Sequence, residues 1–238
     1  MFETLQTLML TYAFLSARRN PVLVDGRNSS EVLSYSLTQY ANFPRTIVLM
    51  LLSFRDLARQ YGWAEVAVEL TRNIGEELGT ETNGVTHYAL LVQALAEECG
   101  LDVEDAQKSN ATAKFISNIF SSLLSGDRFS ALGSVYALEA TARPELLVVV
   151  KIITNLRKSH GHPNPGKFSA TAQNFFDLHV NIWEPGHSEG LRLAAEPLLT
   201  TSEASASFET GFRSVLTIME TWWQELADEA SRIGQMSH

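Results

Sequence analysis

Apolar positions recur along this chain at spacings of three and four residues, and strict alternation over the length of a strand is nearly absent. That period lays apolar side chains along one stripe of an α-helix, so the pattern predicts an all-α fold. Asn28-Ser29-Ser30-Glu31 reads as a capped helix start. Pro44 separates that helix from one over about Arg45–Tyr61. Further helices are predicted at about Ala64–Leu78, Gly84–Cys99, Val103–Leu124, Ala131–Leu156, Ser169–Trp183 and Ala204–Ile233. The run His160-Gly161-His162-Pro163-Asn164-Pro165-Gly166 can only be a loop between two of them. Several long helices joined by short breaks make a bundle. Without a repeat, a low-complexity tract or an interior linker, the pattern predicts a single domain over residues 1–238.

Composition narrows the function classes. With 45% hydrophobic and 19% charged residues the chain can bury a substantial core, which excludes disordered, collagenous and disulfide-scaffold classes. The 18 basic against 27 acidic residues give a net charge of −9, which repels nucleic acid and anionic membranes and favours a small-molecule partner. The lone Cys99 excludes an internal disulfide and fits a reducing, cytoplasmic setting. The longest apolar run, Thr46 to Phe54, is far short of the roughly 20 residues of a membrane span. Near the N-terminus Glu3 precedes the apolar stretch and Arg18 and Arg19 follow it, the reverse of a secretory signal.

Bundles build metal and cofactor sites from carboxylates and histidines that face inward. Of the six histidines, His160 and His162 fall in the polar loop and His238 is terminal, which leaves His87, His179 and His187. In a regular helix Glu184 would lie about 140° and His187 about 80° around the axis from His179, which is poor convergence. A one-residue π-bulge between His179 and Glu184 would bring all three to one face, and Pro185, lacking an N–H, interrupts the ladder at that point. Upstream, Gly79, Asn83 and Gly84 break a helix that ends in Glu76 and Glu77, so these acids and His87 could enter one pocket from a kinked element. Glu139 sits in an uncharged stretch, Val135-Tyr136-Ala137-Leu138-Glu139-Ala140-Thr141-Ala142, where a carboxylate is costly unless paired or bound to a cation. Phe168, Phe175 and Phe176 read as core packing, while Tyr136 and Trp183 are candidates for a place beside the site as pocket walls or redox-active neighbours. Arg143, Lys151 and Arg157 are the basic residues that could meet Glu139 or a substrate acid. Three histidines with three carboxylates form a nitrogen–oxygen donor set suited to iron or manganese, and to a pair of ions better than to one. Cys-x-x-Cys, Gly-x-Gly-x-x-Gly, phosphate-loop and Gly-x-Ser-x-Gly motifs are all missing from the sequence.

In these segments the chain resembles the heme-oxygenase-like diiron oxidases, a branch that includes the CADD-like proteins. The family's first core helix reads roughly Asn-x-x-x-Glu-x-Gly with a histidine further on, matched by Asn73, Glu77, Gly79 and His87. Glu139 matches the glutamate of its second core helix. His179, Glu184 and His187 match its His-x3-Asp-x2-His pattern, with one extra residue and Glu in place of Asp. Glu76 competes with Glu77 for the first position, and Asp177 is a weaker alternative to Glu184. The resemblance implies a heme-oxygenase-like bundle of about seven to nine helices, usually a homodimer, with a mobile third core helix that the Pro185-Gly186 break would suit. It implies two ferrous ions, with manganese an option at one site, held by Glu77, His87, Glu139, His179, Glu184 and His187. Dioxygen would be the co-substrate, and an amino acid, amine or fatty acid would be oxidised in a biosynthetic pathway.

Three relatives of that bundle supply alternatives. A heme oxygenase needs a proximal histidine on its first helix, and no histidine precedes His87. A thiaminase-like TenA hydrolase needs a reactive cysteine, and Cys99 lies beside Glu97 and Glu98, which would raise its pKa. A metal-free PqqC-like oxidase would use the histidines as acid–base groups. From another class, a non-enzymatic CADD-like protein-interaction module would use apolar helix faces, without accounting for a buried Glu139.

Overall fold

The computed structural model describes residues 1–24 and 29–236. Among them the helices are α1 (Phe2–Met9), α2 (Ser30–Tyr40), α3 (Pro44–Gln60), α4 (Ala64–Glu77), α5 (His87–Cys99), α6 (Asn110–Leu123), α7 (Arg128–Ser159), α8 (Ala170–Leu178), α9 (Glu184–Ala195) and α10 (Ser202–Met236). A π-helical turn, His179–Trp183, joins α8 to α9. The architecture is all-α, as the periodicity predicts, and no strand occurs among the described residues. None of these helices is long and apolar enough to cross a membrane.

Helix starts follow local chemistry. Ser29, Thr86, Ser109, Asp127 and Ser169 each accept a hydrogen bond from a backbone N–H of the first turn that would otherwise have no partner. Pro44 opens α3, where its missing N–H costs nothing. Of the sequence-read cap before α2, Ser29 is confirmed and Asn28 lies outside the described residues.

Two expected helix boundaries shift and one further helix is present. The helix expected from Val103 starts only at Asn110: the buried Gln39 side chain donates to Gln107 O (3.0 Å) and accepts from Ser109 N (2.8 Å), so this backbone is satisfied without helical bonds. A short α1, not read from the sequence, packs Phe2, Leu5 and Met9 on the core. The helix expected to stop at Trp183 continues to Ala195 through Pro185 and Gly186, because the π turn delivers Pro185 to the first turn of α9, where proline fits.

The core is organised by α7 and α10. Gly133 on α7 lies against Phe208 of α10, and Gly211 on α10 lies against Ser130 of α7; a Cβ on either glycine would overlap the opposing carbonyl. The two backbones therefore touch, and Ser134 Oγ donates across the crossing to Gly211 O at 3.3 Å. Around this contact Phe208, Phe212, Trp222 and Trp223 are fully buried, each contributing up to about 3 kcal/mol of apolar burial. Trp222 stacks on Phe115 with ring centroids 4.0 Å apart, tying α10 to α6.

Candidate metal centre

α4 ends at Glu77, and the turn that follows holds Gly79, Asn83 and Gly84 at positive φ (97°, 55° and 85°). Gly79 is obligatory twice over, since a Cβ there would also run into the Val85 carbonyl. This closed turn starts α5 at His87, beside the end of α4, and leaves His87 Nδ1 3.2 Å from Glu77 Oε1. The neighbouring Glu76 points elsewhere. Its Oε2 lies 2.8 Å from His187 Nε2 while Oε1 accepts from Arg72 at 2.7 Å.

The third contribution comes from the segment with the extra residue. Glu184 N–H donates back to His179 O, five residues away, so the π turn absorbs one residue between His179 and Glu184. It also orphans one carbonyl. The α-helical donor to Val180 O would be Glu184 N–H, now committed to His179, and the π-helical donor would be Pro185, which has none. Arg143 Nε fills that place, donating to Val180 O at 2.8 Å. Arg143 thus supports the π turn and pairs with no acid of the site. Lys151 is exposed, and Arg157 is ion-paired with Glu98.

The π turn brings His179, Glu184 and His187 into one cavity with Glu77, His87, Glu139 and Glu145. His87 (3%), His179 (4%), His187 (2%), Glu139 (5%), Glu184 (7%) and Glu145 (1%) are all nearly removed from solvent. Glu77, Glu184 and His187 present ligand atoms within 4.8 Å of one another. His187 Nδ1 also lies 3.4 Å from Glu139 Oε2 and 3.7 Å from Glu184 Oε2. The cavity volume, about 80 Å³, is several times what one water needs.

Hydrogen bonds fix which ring nitrogens face inward. His179 Nδ1 lies 2.8 Å from the Phe175 carbonyl, which can only accept, so Nδ1 carries the proton and Nε2 the lone pair. Burial, with His87 close by, pushes His179 down to about 3, so the ring is neutral, as a metal ligand must be. His187 behaves oppositely. Burial opposes its charge, but hydrogen bonds to Glu139 and Glu76 override this and raise it to about 11, so a metal ion bound at Nδ1 would have to displace a proton there. Burial works to raise Glu77, and the hydrogen bond from His87 reverses it to a lowered value. Glu184, buried among other carboxylates, is held well above the usual range despite His187.

These residues fit metal ions. The donor set is nitrogen and oxygen throughout, and among the described residues no lysine or arginine lines the cavity and buried His87 Nε2 has no hydrogen-bond partner. Glu76 behind His187 and Phe175 O behind His179 stand where outer contacts would orient a histidine that held a metal.

A family described as a domain of unknown function with a solved structure, DUF3865, matches residues 2–229. The chain belongs to this family. Two crystal structures of a CADD-like protein of unknown function from Nostoc punctiforme PCC 73102 are similar to this DUF3865 chain. One, at 2.00 Å resolution, is 35% identical with a TM-score of 0.87, covering 96% of each chain. The other, at 1.35 Å, is 34% identical with a TM-score of 0.84, covering 96% of this chain and 94% of that one. That likeness makes the chain a CADD-like protein, and the bundle is the CADD-like fold. No curated protein matches it.

Of the sequence-read site residues in this CADD-like chain, Tyr136 stands apart. It packs on Phe2, Phe208 and Phe212, away from the cavity, because its face of α7 is turned toward α1 and α10. Trp183 adjoins the centre, stacked on His87 with centroids 4.2 Å apart and edge-on to His179 at 4.6 Å. Asp177 is exposed. Cys99 is buried and its thiol is pushed up to about 12 by burial itself, not by the neighbouring acids. The sequence reading missed Glu145, whose Oε1 accepts from Trp223 Nε1 at 2.7 Å. The rule that singled out Glu139 applies to it too, but Arg143 and Pro144 just before it hide the apolar context.

Proposed function

We propose that this CADD-like chain is an O2-dependent nonheme diiron oxidase or oxygenase acting on a small organic substrate, with Glu77, His87, Glu139, His179, Glu184 and His187 holding the ions. The observation that carries this reading is that four carboxylates, the three of this set and Glu145, and three histidines from α4, α5, α7 and the α8–π–α9 segment line one buried cavity with no lysine, arginine or cysteine among its described lining residues. Bound iron would supply dioxygen binding and the electrons for its reduction; manganese at one site is compatible with the same donors.

The protein's own part is positional. Phe175 O holds the His179 proton on Nδ1, and Glu76 holds the His187 proton on Nε2, which aims His187 Nδ1 at Glu139 and Glu184. Trp183 fixes the ring plane of His87, and Phe43, Ile47, Leu91 and Phe175 keep the cavity poor in water. A cytoplasmic homodimer in a biosynthetic pathway completes the reading.

One observation favours a second reading, a metal-free acid–base oxidase. His179 and His187 are pushed to opposite ends of the scale, as in sites that use one base and one acid. Elemental analysis separates the two. Protein purified without oxygen and reconstituted with ferrous iron is expected to hold about two irons per chain, and Glu139→Ala to fold yet lose most of them. No bound iron in the wild type supports the metal-free reading, and two irons retained by Glu139→Ala refute the role of Glu139.

A further inference from the structure

The proposed centre leaves Glu145 unused, and its surroundings identify what it is for. Glu145 is the most deeply buried acid of the cavity, at 1% exposure. Among the described residues only its Oε1 is engaged, by the neutral donor Trp223. A buried carboxylate with one neutral partner is unfavourable unless it keeps its proton or a cation completes it. Among the described residues no lysine or arginine lines the cavity, and the protonated His187 is engaged by Glu76 and Glu139 and not by Glu145.

The walls beside Glu145 are aromatic and apolar. Tyr40 and Phe43 line the same space, and the Tyr40 ring lies 6.0 Å from that of Trp223. A carboxylate set among aromatic rings is the arrangement that recognises an ammonium group on an apolar body. Tyr40 and Phe43 bring no positive charge to the Glu145 end of the cavity, so a substrate carboxylate or phosphate would meet only Glu145 there.

We propose that Glu145 binds the ammonium group of the substrate, which is therefore a small primary amine with an apolar body rather than a fatty acid. This deepens the diiron reading and rests on it for the identity of the reacting end. Glu145 follows Glu139 by six residues on α7, a rise of about 9 Å along the helix. An amine anchored at Glu145 therefore presents toward the ions a carbon several bonds from its nitrogen. Burial pushes the Glu145 carboxyl up to about 8, so the ion pair forms either when a neutral amine takes that proton or when an ammonium enters and the proton leaves to solvent.

The test is binding to the metal-free protein by calorimetry, with hexylamine and 2-phenylethylamine as probes and hexanoate and hexanol as controls. The expected result is that the amines bind, the controls bind at least tenfold more weakly, and Glu145→Gln loses at least tenfold in amine affinity while still taking up two irons. Trp223→Phe, which removes the neutral donor and keeps the Glu145 carboxyl, is expected to bind the amines at least as tightly as the wild type. If Glu145→Gln does not fold, this variant decides: retained amine binding supports the proposal and lost binding overturns it. Hexanoate or hexanol binding as well as the amines, no amine binding by the wild type, or undiminished binding by Glu145→Gln each overturns it. Loss of iron from Glu145→Gln makes Glu145 a ligand and overturns the amine proposal while leaving the diiron reading in place.

Discussion

Glu76 and Glu77 are adjacent in sequence and opposite in task, which makes Glu76→Ala an informative perturbation. Its Oε2 is 2.8 Å from His187 Nε2, and the two side chains are only 11% and 2% exposed. Removing the carboxylate leaves a buried ring N–H without its charged acceptor, a loss of about 1.5–3 kcal/mol. An outer partner of a metal-ligating histidine is separately worth about 10- to 100-fold in metal affinity, or roughly 1.4–2.7 kcal/mol. The two estimates overlap, so Glu76→Ala is expected to keep two ferrous ions per chain but to bind them about 10- to 100-fold more weakly. Glu77→Ala removes a proposed ligand and should lower the stoichiometry itself. The assay is anaerobic titration with ferrous iron against a competing chelator, with melting of the metal-free variants as a check on folding. Unchanged iron affinity in folded Glu76→Ala, or loss of an ion from Glu76→Ala with two retained by Glu77→Ala, would refute this division of labour.

The other expectations concern the π turn, pH and the thiol. Arg143→Met withdraws the donor to Val180 O; because Arg143 is exposed and water can reach the groove, the cost is about 1 kcal/mol, read as a melting temperature about 2–4 °C lower. In a Pro185→Ala background, where the restored N–H can serve Val180 O, that cost should shrink, and equal costs in both backgrounds would contradict the π-turn account. Glu145 keeps its proton up to about 8 when folded and sheds it near 4.5 when unfolded, so between those values the folded state binds more protons and stability falls as pH rises. Glu145→Gln should flatten the pH dependence of metal-free stability by at most about 1.4 kcal/mol per pH unit, and an unchanged slope would show the group is not held neutral. Cys99 should react with a thiol reagent only on unfolding, and rapid labelling of native protein would contradict its burial.

Much of the site was legible in the sequence for definite reasons. A π-bulge follows from asking how His179, Glu184 and His187 could share a face despite an extra residue, and Pro185 marks where the ladder fails. The buried Glu139 follows from the cost of a carboxylate among apolar neighbours. Other features depend on partners distant in sequence. Arg143 reads as a counter-ion for Glu139 until Val180 O is seen to lack a donor. Glu76 and Glu77 are told apart only by which helix each faces, α9 or α5. Tyr136, one turn before Glu139, is turned away by Phe2 of α1, whose packing no local pattern announced. The stretch from Val103 to Ser109 has helical periodicity but is held in a loop by one side chain, Gln39.

The glycine crossing of α7 and α10 restricts how this pocket could change its preferences over evolution. α7 carries both Glu139 and Glu145, and backbone contact at Gly133 and Gly211 leaves it no room to move toward α10. That wall is a fixed datum against which chain length is measured. Admitting a longer or bulkier molecule must therefore come from trimming side chains on the opposite walls, such as Phe43, Ile47, Leu51 or Phe175, which line the cavity from α3, its N-terminal flank and α8. Relatives that have diverged in substrate should differ at those positions while retaining small residues at 133 and 211.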